Sequence, residues 1–275
     1  MAQGPFAAVW AGLRSEPGWP QLRWAVRTII IGDVHGCRSE LEALLDRVAF
    51  ASGDQLVFVG DLVARGPDSL GVLDVARRTG AIVVRGNHEQ RLLDWRSSRR
   101  AWMRGEAAAK PPIGKMHRDI ARSLRPVDWT VLETSPLFVD LPEHGVRVVH
   151  AGLMPDLAIE AQSPQTLMRI RTVRLRSGKR GKAENVLWGA CYAGPPQVVF
   201  GHNAAPGLQL HPWATGLDTG CVYGGRLTAM VLAQGQRVPR GLAARRGVLV
   251  QERAQRVWFA PTSRAASGGG STDAA

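Results

Sequence analysis

Five short segments occur in fixed order along this chain: Gly32-Asp33-Val34-His35-Gly36, Gly60-Asp61, Gly86-Asn87-His88-Glu89, His150-Ala151-Gly152 and Gly201-His202-Asn203. They supply two aspartates, two asparagines, a glutamate and four histidines. Mixed carboxylate and imidazole donors suit Mn²⁺, Fe or Zn²⁺, whereas Ca²⁺ prefers oxygen alone. Two such ions sharing a carboxylate, roughly 3.5–4 Å apart, form the centre that hydrolyses phosphoric esters and anhydrides. Asp61 is the expected bridge, because it lies between the two ligand groups in sequence and on the middle of three strands. One glycine-aspartate or one histidine at a strand end is usually an ordinary turn or a structural residue. Five in series define a site.

The elements that must position these residues are legible around them. Apolar runs Thr28 to Ile31, Leu56 to Val59 and Ile82 to Val84 precede the first three segments, and a helix-like sequence follows each. This βαβαβα order predicts parallel strands whose carboxyl ends line one crevice. His150 ends the run Val146 to Val149, and His202 follows Val198 to Phe200 after one glycine. Helices are predicted over Ser39 to Leu45, Ser69 to Arg78 and Glu89 through Trp95. A helical insertion, about 97–136, is expected over the catalytic face. From Leu137 a hairpin through Pro142-Glu143-His144-Gly145 is expected, and the runs Gln197 to Phe200, Thr215 to Asp218, Leu227 to Leu232 and Val248 to Gln251 read as an extension of an antiparallel set. The predicted class is α+β in αββα layers: a central mixed β sandwich flanked by helices, with a dinuclear metal site at strand ends. Its expected limits are 27–260, with an N-terminal extension at 1–26 and a disordered tail at 261–275.

The 275 residues are 45% hydrophobic and 21% charged, the composition of a globular chain and not of a disordered one. No apolar stretch is long enough to span a bilayer and the start does not read as a secretory signal, so a cytoplasmic protein with no membrane partner is expected. Cys37, Cys191 and Cys221 form no CxxC pair, which argues against a disulfide scaffold or zinc ribbon and for buried free thiols. The net charge of +12 points to acidic partners. Seven basic residues and no acidic one fall between Gln165 and Lys182, and a second cationic stretch, Arg91 to Arg125, carries Trp95 and Trp102. Both read equally as solvated faces or as contacts for polyphosphate or RNA.

In combination, Asp33-Val-His35, Gly60-Asp61-Leu-Val-Ala64-Arg65-Gly66, Gly86-Asn87-His88-Glu89, His150-Ala-Gly and Gly201-His202 resemble the calcineurin-like metallophosphoesterases, and within them the phosphoprotein phosphatase superfamily. The stretches Gly60 to Leu70 and Leu217 to Thr228 are similar to symmetrical bis(5′-nucleosyl)-tetraphosphatases and related phosphatases. The resemblance implies one metal on Asp33, His35 and Asp61, and a second on Asp61, Asn87, His150 and His202, with manganese the first expectation. It implies that activated water attacks phosphorus in line, that Arg65 clamps the phosphoryl oxygens, and that Arg171, or else Arg169, adds a second clamp. His88 would orient the nucleophile or protonate the leaving oxygen. Protein phosphatases carry aspartate at the position of Ala64, paired with the histidine corresponding to His88; that carboxylate is missing here. The implied reaction is cleavage of diadenosine tetraphosphate to two ADP, with nucleotide-capped RNA 5′ ends as a further substrate and Ser/Thr phosphoprotein as the alternative.

Overall fold

A computed structural model of the chain describes residues 27–106, 109, 111–177 and 182–260. The expected extension 1–26 and tail 261–275 lie outside them.

Strand β1 (Arg27–Ile31) is built from β-branched residues, and its two faces meet different partners. Ile29 and Ile31 pack under helices α1 (Arg38–Arg47) and α2 (Ser69–Arg78), while Ile30 faces a second sheet. All three are fully buried, each contributing about 1.5–3 kcal/mol of transfer free energy. Leu41, Leu44 and Leu45 place the apolar face of α1 on this layer. The side chain of Asp68 caps α2 by accepting from Gly71 N at 2.7 Å.

β1 pairs in parallel with β2 (Gln55–Phe58), and β2 with β3 (Ile82–Val83), as the alternating helices require. β11 (Arg226–Ala233) runs antiparallel along the other edge of β1, and β12 (Leu249–Arg253) antiparallel to β11. The first sheet therefore has the order β12-β11-β1-β2-β3.

The second sheet has the order β4-β5-β8-β10-β9, from β4 (Phe138–Leu141), β5 (Val146–Val149), β8 (Gln197–Phe200), β9 (Gln209–Leu210) and β10 (Ala214–Gly216). The β4–β5 hairpin is antiparallel as expected. The later strands correct the expectation of one antiparallel set. β5, β8 and β10 pair in parallel, whereas β11 and β12 belong to the first sheet. The long connections after β5 and β8 return the chain to the same end of the sheet, which parallel pairing demands. Ile30, Val57 and Met230 of one sheet meet Val146, Val148 and Val199 of the other, forming the sandwich interior.

Helix α3 (Asn87–Met103) runs past Trp95 to Met103, and α4 (Lys115–Ser123) and α5 (Pro126–Thr134) follow it. On the other side of the sandwich, Trp188 and Phe200 anchor a layer that includes α6 (Pro164–Arg169) and α7 (Trp188–Cys191). Much of the basic run forms a hairpin of β6 (Thr172–Ser177) and β7 (Lys182–Leu187). Helix α8 (Leu242–Arg246) precedes β12. Among the described residues no helix is long and apolar enough to cross a membrane.

Candidate two-metal active site

Asp33 and His35 leave the carboxyl end of β1, Asp61 that of β2, His150 that of β5 and His202 that of β8, while Asn87 and His88 open α3. The chain must turn sharply at these ends. Among the described residues, six other than glycine have left-handed backbone, and five of them are His35, Asp61, Ala64, Arg65 and His202. Such conformations cost of order 1–3 kcal/mol each where a side chain is present, and they persist where the surrounding structure over-determines them. Gly201 is required for space: a Cβ there would lie 1.9 Å from Asp33 Oδ1.

The hydrogen bonds fix the imidazole tautomers. His35 Nδ1 donates to the Val63 carbonyl at 3.1 Å and His150 Nδ1 to the Val59 carbonyl at 3.0 Å. Each ring thereby turns its Nε2 lone pair inward, where that of His35 accepts from Arg65 Nη1 at 2.7 Å. The two Nε2 atoms lie 3.6 and 3.5 Å from Asp61 Oδ2, and His150 Nε2 lies 3.0 Å from Asn87 Oδ1. Lone pairs thus face lone pairs around Asp61. A bound cation reconciles them, so the donor set fits a metal. Ligand atoms of Asp61, His150 and His202 lie within 4.8 Å of one another, as do those of Asp61, His35 and His88, which makes Asp61 common to two groups. Asp33 stands beside them, its carboxylate accepting from His202 N at 3.1 and 3.0 Å.

Electrostatics point the same way. Burial pushes Asp33 well above the usual carboxylate range, helped by repulsion from Asp218 and Asp61. Burial likewise raises Asp61 and Asp218 to about 6, and Glu89 to about 7 with help from Asp61. The histidines move the other way: burial lowers His150 to about 4 and holds His35, His88 and His202 well below their ordinary value. Neutral imidazoles beside reluctant carboxylates are poised for positive charge.

Residues 26–234 match the calcineurin-like phosphoesterase family model. The chain belongs to the calcineurin-like phosphoesterases. It is 32% identical over 270 residues to a symmetrical bis(5′-nucleosyl)-tetraphosphatase of Chromohalobacter salexigens, covering 76% of this chain and 96% of that one. It is 28% identical over 216 residues to an asymmetrical bis(5′-nucleosyl)-tetraphosphatase, PrpE, of Halalkalibacterium halodurans, covering 73% and 88%. A crystal structure provisionally assigned as a diadenosine tetraphosphatase aligns with a TM-score of 0.66 at 35% identity, covering 84% of this chain and 94% of that one. Membership makes the chain a metallophosphoesterase, a hydrolase of phosphoric esters or anhydrides.

Arg65 lies in the site, with Nη1 2.7 Å from His35 Nε2 and its guanidinium over the Tyr223 ring. Arg169 and Arg171 are exposed on the rim, yet both cations draw the Asp61 carboxyl downward. The Arg169 backbone beside the His202 ring partly offsets the lowering of that imidazole by burial.

Three functional features escaped the sequence reading. Glu89 accepts from the backbone N–H groups of Asp61, Leu62, Val63 and Gly86 at 2.8, 2.9, 3.3 and 2.9 Å, so it fastens the loop carrying the bridge. Asp218 is buried beside Asp33 and Asp61, whose carboxyls repel its own. His117 of α4 places Nε2 3.0 Å from His88 Nδ1, with the two rings stacked at 5.0 Å. The adjacent Met116 sulfur accepts from Arg65 N at 3.0 Å. The absence of a carboxylate at Ala64 thus does not leave His88 alone: α4 supplies another imidazole.

Proposed function

We propose that this protein hydrolyses the phosphoanhydride chain of dinucleoside polyphosphates, cutting diadenosine tetraphosphate symmetrically into two ADP. The observation that carries the reading is the partner of His88. A seryl or threonyl alkoxide needs a strong proton donor on leaving, and a carboxylate beside the histidine would keep such a donor charged. Here the partner is His117, itself lowered to about 4 by burial and by Arg91 and Arg65. A neutral imidazole pair suits a leaving group that departs as a stabilised nucleoside diphosphate anion.

One cation would be held by Asp33, His35 and Asp61, and the other by Asp61, Asn87, His150 and His202. Mn²⁺ is the first choice, with Fe and Zn²⁺ accepting the same donors. When bound, two such ions supply Lewis-acid polarisation of phosphoryl oxygens and an acidified water. The side chains do the rest. Arg65 moves from His35 to the phosphoryl oxygens, which its guanidinium fork matches in two places. Arg171 and Arg169 meet the outer phosphates from the rim. A single proton lies between His88 Nδ1 and His117 Nε2. When His117 donates it, His88 keeps a proton on Nε2 for the leaving oxygen; when His88 donates it, Nε2 is bare and orients the attacking water. The exposed Arg174 beyond Arg171 extends the cationic path toward a longer substrate, a capped RNA 5′ end. The proposed compartment is the cytoplasm.

The test is a substrate panel with Mn²⁺ present, comparing kcat/KM for diadenosine tetraphosphate, capped RNA and a phosphothreonine peptide, with products resolved by chromatography. ADP alone from diadenosine tetraphosphate, at the highest kcat/KM of the panel, is expected. ATP with AMP would overturn the symmetrical cut, and preference for the peptide would overturn the reading itself.

A further inference from the structure

Behind the catalytic loop, Cys37, Glu40 and Cys221 bring their ligand atoms within 4.8 Å of one another. Cys37 caps the start of α1, Glu40 lies in its first turn, and Cys221 opens a short 3₁₀ turn at Cys221–Tyr223. Their exposures are 0, 1 and 1%. Glu40 Oε1 is fully engaged, accepting from Gln255 N at 3.0 Å and Trp258 Nε1 at 2.7 Å. Its Oε2 is buried with no hydrogen-bond partner. A buried carboxylate oxygen left without a donor costs about 1–3 kcal/mol, more where it carries charge, so its neighbours invite an explanation. Both are thiols. Two sulfurs and one oxygen are a donor set for a borderline or soft dication, distinct from the oxygen and nitrogen donors around Asp61.

We propose that Cys37, Glu40 and Cys221 bind a thiophilic divalent cation, Zn²⁺ or Cd²⁺, at a site separate from the catalytic pair. Binding forms two metal–sulfur bonds and one metal–oxygen bond and releases two thiol protons. The local charge, with Glu40 as carboxylate, is −1 before and −1 after, so no net charge is added to the interior. Ligand atoms about a tetrahedral zinc stand roughly 3.3–3.8 Å apart, which the cluster reaches by side-chain movements of about an ångström. The cation would join the start of α1 to the turn after Asp218. Through Oε1 it would also hold the segment at Gln255 and Trp258. Because Cys37 Sγ lies 3.9 Å from the His35 carbonyl, occupancy would bear on the loop that presents His35.

The experiment titrates Cd²⁺ into the reduced full-length protein with Mn²⁺ in excess to occupy the oxygen and nitrogen ligands. One equivalent should develop a sulfur-to-cadmium charge-transfer band in the ultraviolet and raise Tm. Cys37→Ser and Cys221→Ser should each abolish both effects, Cys191→Ser should preserve them, and Glu40→Gln should weaken binding at least tenfold. A band absent at one equivalent, or surviving in Cys37→Ser or Cys221→Ser, or lost in Cys191→Ser, would overturn the proposal. If the serine variants fail to fold, X-ray absorption at the cadmium edge of the wild-type protein with one equivalent of Cd²⁺ and Mn²⁺ in excess decides. Two sulfur neighbours support the site, and none refutes it. None of these readouts depends on which phosphoanhydride is cleaved.

Discussion

His117→Ala isolates what α4 contributes under the proposed function. The ring is 3% exposed, stacks on His88 and closes one hydrogen bond to it. His88 is 6% exposed, so its Nδ1 would be left without a partner in a site that water reaches poorly. An unsatisfied buried group of this kind costs about 1–3 kcal/mol. If the whole cost falls on the transition state, kcat drops by roughly 5- to 150-fold, with KM for diadenosine tetraphosphate nearly unchanged because Arg65 and the rim arginines are untouched. The assay is steady-state ADP release at saturating Mn²⁺, with Tm measured beside it to separate chemistry from folding. His117→Gln, which can offer an amide to Nδ1, should recover part of the loss. Ala64→Asp in the His117→Ala background sharpens the test. Ala64 has φ 74°, a conformation aspartate tolerates better than alanine, and a carboxylate there would return a charged partner to His88. That double variant should gain on a phosphoserine ester more than on diadenosine tetraphosphate. A His117→Ala enzyme within twofold of wild type in kcat at unchanged Tm would refute the pairing, and equal gains on both substrates would refute the leaving-group argument.

Asp61→Asn keeps shape but removes the charge common to both ligand groups. Since loss of even an outer-shell partner costs about 10- to 100-fold in metal affinity or activity, kcat should fall by more than about 100-fold, and calorimetry should show both Mn²⁺ sites weakened; retained activity would reject the bridge. Glu89→Gln presents an amide to backbone N–H groups that now meet a carboxylate, so about 2–4 kcal/mol of stability should go, read as a Tm lower by about 5–15 °C. An unchanged Tm would show that Glu89 does not hold the loop. Proton competition gives a third measurement. Asp61 and Asp218, raised to about 6, carry protons below that pH in the cation-free protein, whereas the depressed histidines are already neutral. Apparent Mn²⁺ affinity should therefore fall as pH drops from 8 to 5, by up to about tenfold per unit for each proton displaced, and a pH-independent affinity would contradict the carboxylate shifts. Replacing Arg169 and Arg171 by alanine should raise KM for diadenosine tetraphosphate several-fold more than it alters kcat for a small chromogenic ester. Equal effects on both would return these residues to a solvated face.

The candidate ligands were legible as a group because each follows its own strand by one to four residues. A local signal, apolar run then glycine then donor, reports a nonlocal site whenever strands are parallel. The first three strands met that condition, and Asp33, Asp61 and Asn87 fall at strand ends for the same reason. The second sheet was harder to read. Runs such as Val198 to Phe200 and Leu227 to Leu232 look alike as sequence, yet one lies beside β5 and the other beside β1. What separates them is the length and route of the connections, which alternation of apolar residues does not encode. Nor could the β6–β7 hairpin be seen in a stretch whose most evident property was charge.

His117 shows where local reading stops. It lies in Lys-Met-His-Arg-Asp, a polar helix preceded by Gly114 but by no strand to mark it, and only the docking of α4 against α3 brings its ring to His88. The sequence drew attention instead to Ala64, as a position where charge is lacking. The two observations belong together. A site with four buried carboxylates at raised pKa would gain another buried charge from aspartate at position 64, at a cost that only a charged His88 could offset. A neutral imidazole partner gives His88 its hydrogen bond without that charge. In the proposed function α4 is then part of the site's chemistry, and the proposed preference for anhydride over ester rests on a contact 53 residues in sequence from the position that first suggested it.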